Sequence, residues 1–171
     1  MEGGRCSQCG RVHPGTSKDI AFSLPDIIWD LGPDARQAHL DWSTDVAYLK
    51  GKWFKESWFI RGVLELPLQS GAGSFGLGVW ASVGKETIGR YREVFSSDGS
   101  RLPRAAGKLA NKIRGYPSTI DLPLSIQFRT ATERPAFYLD APSDHPLFSL
   151  QERGLTCEEC DRLWSAYHPE G

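Results

Sequence analysis

Few cysteines, no long apolar run and almost no net charge set the first limits on this sequence. Only four of its 171 residues are cysteine, and its acidic and basic residues balance to a net charge of −1. No apolar run approaches the roughly 20 residues of a membrane-spanning helix, so no membrane partner is expected. No long basic or acidic block occurs either, which disfavours nucleic acid and anionic surfaces as partners. The chain opens at Met1 without a charged-then-apolar signal segment, from which a reducing, cytoplasmic setting is expected. Also missing are a recognisable nucleophile arrangement, a phosphate loop and a paired-carboxylate constellation.

What cysteine there is falls into two pairs, Cys6-Ser7-Gln8-Cys9 and Cys157-Glu158-Glu159-Cys160. Four cysteines scattered over a chain of this length rarely fall into two C-x-x-C pairs, so the spacing asks for a cause. Zn²⁺ takes four ligands in a tetrahedron, and two intervening residues let both sulfurs of a tight turn reach one ion at about 2.3 Å. Gly10, directly after Cys9, suits the positive φ of a knuckle. The second pair reads as a helix start, with Thr156 as N-cap and Glu159 three residues on, where the helix dipole favours thiolate. A closed site of this kind is structural, since catalytic zinc keeps a position open for water. It would tie one end of the chain to the other. Three rival readings stand beside it: a disulfide framework, redox chemistry at one C-x-x-C, and a mixed site in which His13 or His168 replaces a cysteine. Iron also accepts four thiolates.

Length and composition point to one domain over residues 1–171. It divides into a zinc knuckle at about 1–15, an α+β core at about 20–150 and a C-terminal helix at about 156–168 that completes the metal site. The expected fold class is α+β, with a largely antiparallel sheet and helices packed on it. Six tryptophans imply large planar groups in the core or lining a groove. Short helical stretches are expected near residues 25–31 and from Pro33 to about Leu40, Pro suiting a first helical turn. Val46–Leu49 and Trp58–Leu68 read as strands, the latter rich in branched and aromatic residues. Arg61 and Glu65 then share one face, either a polar solvent face or a pair serving a ligand.

Gly71-Ala72-Gly73-Ser74-Phe75-Gly76 matches the dinucleotide fingerprint G-x-G-x-x-G. That motif works where the glycines open a helix, whereas Leu77–Val83 reads as a strand, so a hairpin is expected instead. From Lys85 to Phe95 the apolar residues Ile88, Tyr91, Val94 and Phe95 fall at helical spacing. Ser100–Lys108, carrying Arg101, Arg104 and Lys108, reads as a mobile loop, and Leu109–Tyr116 as a helical turn. Strands follow at Ile120–Phe128 and Ala136–Leu139, with Pro123 arguing that the first starts late or lies at an edge. A short helix after His145-Pro146-Leu147 precedes the last one, Cys157 to about Tyr167, with Leu163, Trp164 and Tyr167 as its buried stripe.

Several segments together resemble a family of uncharacterised bacterial proteins, the domain of unknown function 2199 family. They are Cys6-Ser7-Gln8-Cys9-Gly10 with His13, Ser43-Thr44-Asp45, Phe59-Ile60-Arg61-Gly62-Val63-Leu64-Glu65-Leu66-Pro67, Gly78-Val79-Trp80-Ala81-Ser82, Gly115-Tyr116-Pro117-Ser118-Thr119, and His145-Pro146-Leu147 with Gln151 and Gly154. The resemblance implies a small cytoplasmic bacterial protein and lends no reaction. It also implies a cysteine near Ala47 that this chain lacks, while the late Cys157/Cys160 pair is not a family feature. Either the late pair completes the zinc site, or Cys6, Cys9 and His13 use another ligand.

Two functions are carried forward. The first is a non-enzymatic, zinc-stabilised domain acting through contacts with another protein or through regulation. The second is a small enzyme or ligand-binding domain with a cleft lined by Arg61, Glu65, Trp80, Tyr116 and His145. In it Arg61 would orient an anionic group, His145 or Glu65 would move a proton, and the aromatic residues would hold an apolar body.

Overall fold

Alternation of side chains along two neighbouring strands, Ser57–Pro67 and Ser74–Val83, generates most of the core. The structure is a computed structural model, and it describes residues 10, 19–51, 55–71 and 73–169. Within these the chain runs β1 (Asp19–Ala21), α1 (Asp26–Trp29), α2 (Pro33–His39), β2 (Leu40–Trp42), β3 (Val46–Leu49), β4 (Ser57–Pro67), β5 (Ser74–Val83), α3 (Lys85–Val94), β6 (Ala105–Leu109), β7 (Pro123–Gln127), β8 (Ala136–Leu139), α4 (Pro146–Arg153) and α5 (Cys157–Tyr167). The expected α+β class is what is found. Cys6, Cys9 and His13, with the rest of the expected knuckle apart from Gly10, lie outside the described residues. Gly10 itself has φ 69°, in the left-handed region.

β4 and β5 form one long hairpin, paired from Trp58 with Val83 to Pro67 with Ser74. The glycines at 71 and 73 take positive φ in its turn, and a strand follows them, not a helix. Each long strand then changes its outer neighbour midway. β4 pairs antiparallel with β3 at Ser57–Ile60 and parallel with β8 at Val63 and Leu64. β5 pairs parallel with β1 at Gly76–Gly78 and antiparallel with β6 at Ala81 and Ser82. Since β6, β7 and β8 continue the meander, the ring β4–β5–β6–β7–β8 closes on itself. Five strands are an odd number, so the first and last must meet in parallel. Closure into a barrel was not foreseen in the sequence.

Inward residues of the ring, among them Ile60, Leu64, Leu66, Phe75, Leu77, Val79, Leu124, Ile126 and Phe137, form the main core, which a ring this small fills with side chains. α3 adds Ile88 and Tyr91 to it, and α4 and α5 add Leu147, Leu150 and Leu163. On the outer face of the sheet a second core gathers Leu24, Ile28, Ala47, Leu49, Phe59, Trp80 and Ala110 under α1.

Two expectations are corrected. The polar stretch at 100–108 is not all loop: β6 begins at Ala105, and Arg104 stacks on Tyr138, 4.1 Å from the ring centre. Leu109–Tyr116 forms no helix. Its place in the fold is fixed by side chains that offer the backbone other partners. The Asn111 Oδ1 accepts from Trp80 N (2.8 Å) while its amide donates to Leu24 O (2.9 Å) and Asp26 Oδ1 (3.0 Å). Thr119 Oγ1 donates to Asn111 O (2.6 Å) and accepts from Ile113 N (3.0 Å). Pro123 is the first residue of β7, as a late start requires, but β7 is interior, between β6 and β8.

Candidate functional site

The start of α5 carries the described half of the expected metal site. Thr156 and Glu159 form a complete capping box, the Glu159 carboxylate accepting from Thr156 N (2.9 Å) and the Thr156 hydroxyl from Glu159 N (3.2 Å). Arg153 reaches across from α4 and grips the same carboxylate with both terminal nitrogens, at 2.9 and 2.5 Å. That grip is the main reason the Glu159 carboxyl is held down at about 2, with the Thr156 bonds adding to it. Cys157 and Cys160 are three apart in this first turn and so share a face, and Cys160 packs against the main core. Two sulfurs on one face beside the positive end of a helix are a fitting pair of thiolate ligands. Among the described residues no group of three or more His, Cys, Asp or Glu is placed to hold a metal. His168 does not join the two cysteines. It lies eight residues beyond Cys160, about 12 Å along the helix, and its ring stacks on Trp164 at 3.8 Å.

The five residues expected to line one cleft do not converge on one, although Arg61 and Trp80 are cross-strand partners with the guanidinium 6.0 Å from the indole ring centre. Trp80 is fully buried in the second core, its indole N–H donating to Phe22 O at 2.9 Å. His145 caps α4: its Nδ1 accepts from Leu147 N (3.1 Å), and its Nε2 lies 3.2 Å from Pro117 O, beside Tyr116. Tyr116 is half-buried against the main core, and burial raises its phenol above the ordinary value. Only Arg61 and Glu65, on the outer face of β4, adjoin a concavity, and each does so through a neighbour.

That concavity is a cleft of about 460 Å³ between the C-terminal half of α3 and residues 128–135, which join β7 to β8. One wall is aromatic. Tyr91 stacks on Phe128 with ring centres 5.5 Å apart and meets Phe95 edge-on at 5.6 Å. Tyr91 and Phe128 are buried, whereas Phe95 is 49% exposed. Burial, helped by the nearby Asp45 charge, pushes the Tyr91 phenol up to about 12. The other wall is polar, with Asp45, Arg129, Thr130, Glu133 and Arg134.

Local sequence sets this wall. In the β2–β3 turn the Ser43 hydroxyl accepts from Asp45 N and Val46 N, both at 3.3 Å, and Thr44 Oγ1 donates to Asp45 Oδ2 at 2.9 Å. This leaves Asp45 Oδ1 to accept from Arg134 Nε at 3.0 Å. Arg129 pairs with Glu65 at 3.2 Å, which is how Glu65 meets the cleft. Arg61 meets it through Asp45, whose carbonyl accepts from Arg61 N at 2.8 Å. Its guanidinium makes one long bond, from Nη1 to Thr44 O at 3.4 Å, and its Nε is buried with no acceptor. Burial and the neighbouring Arg134 charge both lower the Arg61 pKa, with Asp45 opposing them.

A family model described as an uncharacterized protein conserved in bacteria (DUF2199) matches residues 5–155. The chain belongs to the DUF2199 family. Comparison with curated proteins and with solved structures finds no match. The DUF2199 match takes in Cys6, Cys9 and all walls of the cleft, and it stops at Leu155, ahead of Cys157. Of the segments that pointed to DUF2199, Ser43-Thr44-Asp45 presents the cleft carboxylate. Others serve the fold: Thr119 fastens the Asn111 loop, and Gln151 joins α4 to the sheet by accepting from Leu139 N (2.8 Å) and donating to Phe137 O (2.9 Å).

Tyr91, Arg129 and Arg134 were missed as site residues. Tyr91 stood in the sequence as one more apolar position of a helix. For the arginines the signal was there, two of them five apart in a polar link between strands, but pairing across the sheet brings them to Asp45 and Glu65.

Proposed function

We propose that this protein is a zinc-stapled domain that binds a small ligand in the cleft between α3 and residues 128–135. The observation that carries the reading is the meeting of a stacked aromatic wall with two arginines, Arg129 and Arg134, at one concavity of ligand size. Binding is favoured over catalysis because the groups that an enzyme reading would join are apart. His145 spends both ring nitrogens on the α4 cap and on the neighbourhood of Pro117 O, away from Arg61.

In this reading Cys6, Cys9, Cys157 and Cys160 hold one structural Zn²⁺. What supports it is the spacing of the two pairs and the presentation of the second pair at a capped helix start. The test is elemental analysis of the protein beside Cys6→Ser and Cys160→Ser. One zinc per chain, lost in both variants, is expected. Zinc lost only on replacing Cys6 would move the site to Cys6, Cys9 and His13 with another ligand, and no metal in any sample would end the zinc reading. For the cleft, Phe95→Ala should abolish the thermal stabilisation given by a bound ligand while leaving the zinc content unchanged.

Recognition of another protein is the second reading. It is favoured by Trp29 on α1 and Trp42 on the edge strand β2, which are 51% and 54% exposed. Under it, Trp42→Ser would remove a stoichiometric partner from natively purified protein, and the Phe95 variant would keep it.

A further inference from the structure

We infer that the cleft takes an uncharged planar molecule with an amide-like edge: a lactam or primary amide on a flat ring. This rests on the cleft being the binding site, and adds the chemistry of what it takes.

The first observation is a balance of charge. Two carboxylates, Asp45 and Glu133, and two guanidiniums, Arg129 and Arg134, line the cleft and cancel. They are also engaged already. Arg134 Nε donates to Asp45 Oδ1 at 3.0 Å, Arg129 Nη2 to Glu65 Oε1 at 3.2 Å, and Thr130 Oγ1 to Glu133 Oε2 at 2.8 Å. An anion drawn to Arg134 would have to compete with Asp45 and would face Glu133 as well. A cation drawn to Glu133 would face both arginines. Neither finds an uncompensated charge to pair with, whereas a neutral ligand leaves the existing pairs as they stand.

The second observation is what these groups still have to offer. Glu133 Oε1 and both terminal nitrogens of Arg134 have no partner among the described residues. Two residues adjacent in the chain thus bring an acceptor and a donor to one cleft. An amide-like edge carries the matching pair, an N–H for the Glu133 carboxylate and a C=O for the Arg134 guanidinium, and hydrogen bonds to charged groups are the stronger kind. The aromatic wall sets the shape. Tyr91 and Phe128 are already stacked on each other, so the half-exposed Phe95, edge-on to Tyr91, offers the open ring for a flat body.

The experiment is calorimetric titration of the full chain at low ionic strength, where exposed charges are screened least. The probes are 2-naphthamide, 2-naphthoate, 2-naphthylmethylammonium and methyl 2-naphthoate, an ester that keeps the carbonyl but lacks the N–H. The amide is expected to bind about five-fold tighter than the ester and about ten-fold tighter than either ion. Glu133→Gln removes one negative charge, so naphthoate should gain on the amide; Arg134→Gln removes one positive charge, so the ammonium should gain instead. Both residues are exposed, and circular dichroism melts confirm that the variants fold. An ion that binds the wild type as tightly as the amide overturns the choice of a neutral ligand while the cleft reading stands. An ester as tight as the amide overturns the amide edge, and a ranking unmoved in both variants overturns the charge balance as its cause. If none of the four binds, or binding survives Phe95→Ala undiminished, the cleft reading falls and this inference with it.

Discussion

Gly62 on β4 lies flat against the ring of Phe137 on β8: a Cβ at residue 62 would stand 2.3 Å from the ring's Cε1. The contact is where the barrel closes, because β4 and β8 meet in parallel only at Val63–Ala136 and Leu64–Phe137. Phe137 is 1% exposed and has nowhere to swing.

Gly62→Ala should therefore destabilise the protein by about 1–3 kcal/mol, the range for forcing extra carbon into a packed core. Adding Phe137→Leu should recover part of the loss, and denaturant unfolding of the two variants measures both. Equal stability of Gly62→Ala and the wild type would mean that the barrel does not close through this contact.

Asn111 should be among the least replaceable polar residues. It is fully buried and its side chain serves Trp80 N, Leu24 O and Asp26 Oδ1, joining β5 to the segment around α1. Asn111→Ala leaves a backbone N–H and a carbonyl in the second core without partners, at about 1–3 kcal/mol each. Asn111→Asp would accept from Trp80 N but set a negative charge against Leu24 O and Asp26. Thermal melts should rank wild type above both variants. A melt of Asn111→Ala that matches the wild type would show that water replaces the amide.

How much of this could be read in advance follows from which forces act locally. Both long strands, the helix over Lys85–Val94 and the capping box at Thr156 and Glu159 were legible, because periodicity and caps are written within a few consecutive residues. The glycine fingerprint at 71–76 was legible as a hairpin for the same reason. Closure of the barrel was not, since it depends on strands β4 and β8, far apart in sequence, and on a ring fitting over Gly62. Nor was the failure of residues 109–116 to form a helix, which rests on Asn111 and Thr119 bonding to distant backbone. The cleft shares that origin: Asp45 and Arg134 are 89 residues apart in the chain and 3.0 Å apart in the fold.

Removal of the proposed zinc should weaken the whole domain and not α5 alone. A metal bound only by the native chain adds its binding energy to folding. Tying Cys6 and Cys9 to α5 would lock the chain start onto Cys160, Leu163 and the main core. Dialysis against a chelator should then lower the melting temperature of a single cooperative transition, and Cys157→Ser should do the same. Metal-free protein that melts with the loaded protein would refute a structural role.

The Tyr91 phenol gives a probe of the cleft that needs no ligand at all. Its pKa in the fold is about 12, against an ordinary 10.0, with burial as the first cause and the Asp45 carboxylate as the second. A folded value above the unfolded one means that the neutral phenol favours the native state. This contribution is fully present below pH 10.0 and is lost as the pH rises from there to about 12. Spectrophotometric titration should show one tyrosine ionising later than Tyr48, Tyr116 and Tyr167, whose phenols are also raised, and Tyr91→Phe should delete that last step while flattening the fall in stability over the same range. Asp45→Asn removes the second cause and leaves burial, so the late step should move down without returning to the ordinary value. If Tyr91 instead ionised with the exposed tyrosines, the aromatic wall would be open to water and too loosely packed to hold a flat ligand.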